Sequence, residues 1–156
     1  MKLSFENEVS DSDISKVDSL LGGTKTTVLL NHANYCGHCH AMRSEFELFK
    51  KGTSANIVEI ESSSLGSFQR KPTIYNKIKS DEGIYFPMII VYVARTSKKP
   101  LKKLYKGPRT AEGLHSFIKE SEAKLKAALA EKKKPTAAAT AAAPAKKKKT
   151  PKRKTI

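Results

Sequence analysis

The chain has 156 residues, a length that suits one domain with an additional segment. Thirty Lys and Arg residues against fifteen Asp and Glu residues give a formal net charge of +15, and residues 131–156 hold ten of the basic residues and one of the acidic ones. A chain of this length is not expected to form two packed domains. We predict a folded domain over residues 1–132 and a disordered segment over residues 133–156, which contain no aromatic residue.

The apolar stretches of the sequence are short. Residues 86–94 form a strongly apolar run that falls far below the roughly 20 residues needed to span a bilayer, so no transmembrane segment is expected. The first eighteen residues contain several acidic residues and no apolar run of signal-peptide length. The sequence therefore favours the cytoplasm, the nucleus or the virion of a large DNA virus.

The first half of the chain predicts alternating strands and helices. Residues 3–9 favour a short strand and residues 12–21 a capped helix. Residues 24–33 are apolar and β-branched, which is typical of a buried central strand. A helix is predicted from Cys36 to Gly52, because apolar residues recur there at steps of three and four. These residues are Cys39, Met42, Phe46 and Phe49.

The second half predicts another strand at residues 55–62, two short helical pieces separated at Pro72, and a hairpin formed by residues 88–94 and 101–107. A last helix is predicted from the N-cap Thr110 to Pro135. Its apolar face consists of Leu114, Phe117, Ile118, Leu125 and Leu129. This order predicts an α/β fold with a central mixed sheet flanked by helices.

Cys36 and Cys39 enclose Gly37 and His38 at the predicted start of a helix. Residues three apart on a helix have Cβ atoms about 5 to 6 Å apart, close to disulfide geometry. Unpaired N–H groups at a helix start favour a thiolate, so Cys36 is predicted to have a lowered pKa and to be the attacking thiol. Cys39 is then the buried resolving thiol. Gly37 permits close approach of a substrate, and a protonated His38 would stabilise the thiolate further.

Two other interpretations of the cysteine pair are a zinc site and inert buried thiols. A zinc site would use both cysteines with two of His32, His38 and His40. The redox interpretation is preferred because the pair follows an apolar strand and opens a helix, and because the sequence has no second pair of ligands at a similar spacing. No metal is expected, and no cofactor besides a redox-active Cys36–Cys39 disulfide.

Residues 27–42 resemble the strand, active-site loop and helix of thioredoxin-fold proteins, and their CGHC sequence is that of protein disulfide isomerase domains. Phe86 and Pro87 with the strand after them resemble the cis-proline loop of the family, and residues 104–120 resemble its last strand and helix. The resemblance covers roughly residues 24–130. It implies a thiol–disulfide oxidoreductase that acts on protein thiols and disulfides.

The resemblance also implies roles for single residues. Cys36 would be the nucleophile, Cys39 the resolving cysteine and Pro87 a cis-proline facing them, although a trans proline at the start of a strand is the alternative. Tyr35 and the backbone around Phe86 would bind an extended substrate. Arg109 would assist the resolving thiol, the alternative being an ordinary solvated arginine. Pro72 lies too near the cysteines to be the cis-proline.

Three positions depart from the family pattern. Leu30 stands where the family carries a buried acidic residue that relays a proton for the resolving thiol, Tyr35 replaces a tryptophan, and Asn34 replaces a common proline. We therefore expect slow resolution of mixed disulfides. A hydroxyl group, water, His32 or His40 would have to take the proton.

The C-terminal segment contains three basic clusters within an Ala/Pro-rich sequence, similar in composition to linker-histone tails. Such a segment binds polyanions without reading their sequence, so we expect non-specific association with nucleic acid. Nuclear import, an acidic protein or membrane surface, and simple solubilisation remain alternatives. The candidate residues are Lys146, Lys147, Lys148, Lys149, Lys152, Arg153 and Lys154.

These features together favour a redox enzyme tethered to a polyanion. Because cytosolic glutathione would hold an isomerase-like pair reduced, reductase or exchange activity agrees with the sequence as well as oxidation does. The alternative is a non-catalytic thioredoxin-fold protein, binding or structural, whose basic segment carries the function.

Overall fold

A mixed β-sheet of five strands lies at the centre of the computed structural model, which describes residues 1–96 and 98–133. In these residues the strands lie in the order β1-β3-β2-β4-β5. The first three strands of the chain run parallel to one another, while β4 is antiparallel to β2 and β5 is antiparallel to β4. The strands are β1 (Lys2–Phe5), β2 (Thr27–His32), β3 (Asn56–Glu61), β4 (Met88–Val93) and β5 (Leu101–Tyr105).

Helices cover both faces of this sheet. They are α1 (Asp11–Leu21), α2 (Gly37–Gly52), α3 (Leu65–Gln69), α4 (Pro72–Ile78) and α5 (Ala111–Lys133), with a 3-10 turn at Ser62–Ser64 before α3. Apolar side chains of α1, α3 and α4 form a core on one face, and those of α2 and α5 form a second core on the other. The predicted mixed sheet flanked by helices is confirmed.

Strands β2 and β4 are buried at all of their residues. Successive side chains of a strand point to opposite faces, so Leu29 enters the core of α1 and Leu30 enters the core of α2. A strand covered on both faces has no solvent-facing side, which explains the continuous apolar sequence of β4 and the apolar residues 28–30 of β2.

Local sequence signals set the ends of several helices. The side chain of Ser10 accepts the backbone N–H of Asp13 at 3.2 Å and caps α1. Pro72 begins α4, where its fixed φ angle suits the first helical turn and its missing N–H is not needed. The two short helical pieces around Pro72 and the β4–β5 hairpin are confirmed.

The predicted apolar face of α5 is buried only over its first turns. Leu114 and Ile118 are buried against the sheet, whereas Leu125 and Leu129 are half-buried. The latter two line a shallow pocket with Ala94 and Thr96, which follow β4. The far half of α5 therefore packs on the end of the sheet instead of across it.

Helix α5 runs to the last described residue before the basic segment. Residues 134–156, for which disorder is predicted, lie outside the described residues, and so do all seven candidate polyanion-binding residues. Lys133, which was also predicted to be disordered, is the last residue of α5. Over residues 1–96 and 98–133, no helix combines the length and the apolar character required to cross a membrane.

Candidate active site

Cys36 is the residue that caps the N-terminus of α2. It has extended backbone angles, and its Sγ accepts the backbone N–H of Cys39 at 3.2 Å. Its carbonyl oxygen accepts the N–H groups of Cys39 and His40 at 3.1 and 3.2 Å. The thiol thus occupies the place of a capping side chain. An N–H group directed at the sulfur stabilises a thiolate over a thiol.

Cys39 lies one turn further along α2 and is buried, with 9% of its surface exposed, whereas Cys36 is half-buried. Burial raises the pKa of the Cys39 thiol to about 11, and its hydrogen bond with Cys36 acts in the same direction. Both cysteines are free thiols. The structure therefore makes the two sulfurs unequal, with Cys36 accessible and Cys39 shielded and firmly protonated.

The two residues between the cysteines point away from the core. Gly37 and His38 are exposed, and a Cβ atom built on Gly37 would meet no atom within 4 Å. The fold itself therefore does not require glycine at position 37. The position instead leaves open space beside the Cys36 sulfur.

The Phe86–Pro87 peptide bond is cis, which is the conformation that the resemblance implies. Pro87 is buried just before β4, and the ring of Phe86 stands edge-on to the ring of Tyr35, with 6.3 Å between the ring centroids. Tyr35 is 79% exposed. The fold thus brings the loop before α2 into contact with the loop before β4, although 50 residues separate them in the sequence.

Arg109 is exposed and lines a cavity of about 210 Å³ together with Tyr85, Pro87 and Lys106. Its positive charge acts to lower the pKa of Cys39, but this effect is smaller than that of burial. The structure therefore places Arg109 on the side of the cis-proline loop and within electrostatic reach of the buried thiol.

A feature that the sequence analysis missed is a clamp on the peptide groups of Asn34, formed by Glu61 and His40. The Glu61 carboxylate accepts the Asn34 N–H at 3.1 Å, and an imidazole nitrogen of His40 lies 2.7 Å from the Asn34 carbonyl oxygen. Burial acts to raise the pKa of Glu61, but hydrogen bonds from Ser63, Ser62 and Asn34 outweigh it and hold the pKa at about 2. The position of Glu61 at the end of β3 was the only sequence signal for this role.

Leu30 is buried on the face of the sheet that carries α2, as a core residue. In the β2–β3 register it lies beside Glu59, whose carboxylate forms an ion pair with Lys50 of α2 at 2.7 Å. At this level of the sheet, the charged groups are therefore Glu59 on β3 and Lys50 on α2, while β2 carries the apolar Leu30.

The histidines considered for a zinc site do not converge on the cysteines. His40 contacts Asn34, His32 is buried on the sheet and His38 is exposed. In the part of the chain that the structure describes, no group of three or more His, Cys, Asp or Glu residues is placed to hold a metal ion.

The chain is similar in sequence and in fold to known proteins. No protein-family profile matches the sequence. The chain is 29% identical over 108 residues to a protein disulfide-isomerase of Aspergillus oryzae, and the match covers 67% of this chain and 18% of that protein. The chain thus corresponds to a small part of this relative.

Two solved structures illustrate the fold. The Trx4 domain of ERdj5 matches with a TM-score of 0.53 at 18% identity, covering 77% of this chain and 97% of that domain. The first two thioredoxin domains of Naumovozyma dairenensis Eps1p match with a TM-score of 0.50 at 18% identity, covering 76% and 41% of the respective chains. The chain has a thioredoxin fold with homology to a protein disulfide isomerase domain.

Proposed function

We propose that this chain is a thiol–disulfide oxidoreductase in which Cys36 and Cys39 exchange disulfides with protein substrates. The observation that carries the proposal is the inequality of the two sulfurs. Cys36 accepts an N–H group at the start of α2 and is accessible, while Cys39 is buried one turn away. This arrangement suits a nucleophile and a resolving thiol.

In the reductive direction, the Cys36 thiolate attacks one sulfur of a substrate disulfide. The second substrate sulfur leaves as a thiolate and takes a proton from solvent, which leaves Cys36 joined to the substrate in a mixed disulfide. Cys39 then loses its proton and attacks Cys36 Sγ. The bond from Cys36 to the substrate breaks, a Cys36–Cys39 disulfide forms, and two electrons have passed to the substrate. The reverse sequence oxidises a substrate dithiol.

The surface around Cys36 suits a protein substrate. The exposed ring of Tyr35 and the half-buried ring of Phe86 form an aromatic pair beside the cysteines. The open space at Gly37 would let an unfolded segment approach the sulfur. Such a segment would then pair with main-chain groups near Phe86.

The physiological direction follows from the reduction potential of the pair. A potential near about −180 mV would assign oxidation or isomerisation, consistent with a His38 that stabilises the thiolate. A potential near about −270 mV would assign reduction and remove the isomerase-like role of His38.

The proposal is tested by replacing each cysteine separately in the full chain. We expect Cys36→Ser to abolish insulin reduction and the refolding of a scrambled disulfide substrate. We expect Cys39→Ser to accumulate mixed disulfides that a reductant releases, and the trapped proteins would identify the substrates. Full activity of Cys36→Ser would overturn the proposal in favour of a non-catalytic binding protein.

We further propose that the basic segment tethers the domain to nucleic acid, in the nucleus or in a virion. Lysine clusters without interleaved aromatic residues bind phosphates by counterion release and do not stack on bases. The test is the affinity of the full chain for duplex DNA in a salt series. Each lost phosphate contact should reduce the slope of log affinity against log salt by about 0.9. The variant replaces with Gln the residues Lys146, Lys147, Lys148, Lys149, Lys152, Arg153 and Lys154. An unchanged slope would contradict the tether.

A further inference from the structure

Cys39 lines a cavity of about 290 Å³ on the face of the sheet that carries α2. Leu30 and His32 of β2, Glu59 of β3 and Lys50 of α2 line it together with Cys39. A water molecule in liquid water occupies about 30 Å³, so the cavity has room for several water molecules beside polar groups. A buried thiol that must lose its proton during resolution therefore faces a polar space and not a packed core.

His32 is the neutral base in this cavity. It lies two residues after Leu30 on β2 and so projects from the same face of the sheet, with 9% of its surface exposed. Burial lowers the pKa of the His32 imidazole, which keeps the ring neutral at neutral pH and able to accept a proton.

Charged groups around His32 would stabilise the ring once it is protonated. Glu59 and Glu61 on β3 and Glu6 after β1 act to raise its pKa, whereas Arg43 on α2 acts to lower it. In the β2–β3 register, His32 lies beside Glu61 and Leu30 lies beside Glu59. The neighbouring strand thus carries one carboxylate residue directly beside His32 and another beside Leu30, two residues earlier on β2.

The other groups near the cysteines are less suited to take this proton. The ring of His40 is bound to the Asn34 carbonyl oxygen at 2.7 Å and is exposed. The Glu59 carboxylate is held by Lys50 at 2.7 Å, and Leu30 has no basic group. Among the described residues, His32 is therefore the neutral base that lines the cavity with Cys39, beside the carboxylates of Glu6 and Glu47.

We propose that His32 accepts the proton of the Cys39 thiol through water in this cavity when the mixed disulfide is resolved. The inference rests on the proposed oxidoreductase function. The proton passes from Cys39 Sγ through water to an imidazole nitrogen, the thiolate attacks Cys36 Sγ, and the substrate leaves as a thiolate. The imidazolium then returns its proton to the leaving sulfur or to solvent, so protons and electrons balance.

The two chemical steps separate in the stopped-flow reaction of the reduced full chain with 5,5′-dithiobis(2-nitrobenzoate). Attack by Cys36 releases one thionitrobenzoate in a phase that depends on reagent concentration, and attack by Cys39 releases the second in a phase that does not. In the wild-type protein we expect the second phase to slow as the pH falls through the lowered pKa of His32, below about 6.5.

The decisive variant is His32→Gln, which should leave the first phase unchanged and slow the second about 100-fold at neutral pH. It should also remove the inflection from the pH profile of the second phase. His115→Gln is the matched control, because His115 contacts Phe49 and Gly52 towards the other end of α2, and both phases should stay at wild-type values.

A second variant tests the inference should His32→Gln fold poorly. Glu59→Gln removes a carboxylate that stabilises the imidazolium, so the inflection should move to lower pH. A second phase unaffected in folded His32→Gln, or an inflection that does not move in Glu59→Gln, would overturn the role of His32. Absence of any reaction at Cys36 in the wild-type protein would instead overturn the proposed function itself.

Discussion

The Glu61 carboxylate accepts the backbone N–H of Asn34 at 3.1 Å, which ties the end of β3 to the loop that leads into Cys36. The same carboxylate accepts the Ser63 N–H at 2.6 Å and the Ser62 hydroxyl at 2.7 Å. A buried carboxylate that accepts three such hydrogen bonds fixes the loop before Cys36 and the turn after β3 relative to each other. The position of Cys36 therefore depends on a residue at the end of β3.

This contact predicts a pH-dependent stability. The folded-state pKa of Glu61 is about 2, below the ordinary value of 4.5, so its contribution is fully present above pH 4.5 and is lost as the pH falls towards 2. Glu61→Gln should lower the free energy of unfolding at neutral pH by about 1 to 3 kcal/mol and flatten its decline in acid. Urea unfolding at a series of pH values measures both effects. Glu120→Gln, at an exposed position of α5, is the control and should keep the wild-type profile.

The unequal burial of the cysteines predicts selective alkylation. At about pH 8 a thiol with a pKa of about 11 is roughly 0.1% ionised, and only the thiolate reacts with iodoacetamide. Mass spectrometry of the reduced protein should therefore find one modification, at Cys36. Unfolding in urea should expose Cys39 and give two modifications. Modification of folded Cys39 before Cys36 would contradict the assigned roles.

The Tyr35–Phe86 pair predicts a defect that depends on substrate size. Tyr35→Ala removes an exposed ring beside Cys36 and should lower kcat/KM for insulin about three- to ten-fold, because an aromatic contact contributes about 1 kcal/mol. Turnover of a small disulfide, which does not reach this pair, should not change. Leu48→Ala is matched as an exposed apolar truncation on α2 and should affect neither substrate. Equal losses for both substrates would assign Tyr35 to the chemistry and not to binding.

Two glycines on helices predict opposite effects of the same substitution. A Cβ atom at Gly113 would lie 2.6 Å from the Tyr105 hydroxyl and 2.7 Å from the Pro108 carbonyl oxygen, whereas one at Gly66 would meet nothing within 4 Å. Gly113→Ala should reduce the free energy of unfolding by about 1 to 3 kcal/mol. Gly66→Ala should leave it unchanged or raise it by up to about 1 kcal/mol. Thermal unfolding compares the two, and an unaffected Gly113→Ala would show that both Tyr105 and the Pro108 backbone move aside freely.

Several elements were predictable because their signals are local. β4 is a continuous apolar run and β2 contains one at residues 28–30, since both faces of these strands are covered. Pro72 marks a helix start because its ring suits the first turn. The helical step between Cys36 and Cys39 likewise follows from three residues of spacing. The half-burial of Leu125 was not predictable, because periodicity shows which face of a helix is apolar but not how far the sheet extends beneath it.

The contacts around the cysteines were predictable only in part. The cis bond before Pro87 followed from a resemblance of motifs, but the clamp between Glu61 and Asn34 joins positions 27 residues apart on different elements. The same holds for the cavity that joins Cys39 to His32 and Glu59. No periodic pattern marks such contacts, because each involves a single side chain.

The amino-acid sequence by itself determined the α/β architecture, the place of the cysteine pair at a helix start and the concentration of positive charge at one end, since all three depend on neighbours along the chain. Only the tertiary structure decided which carboxylate holds the loop before Cys36 and which histidine shares a cavity with Cys39. Burial and electrostatic environment arise from segments that meet across the sheet, and their meeting depends on the register and packing of the whole domain.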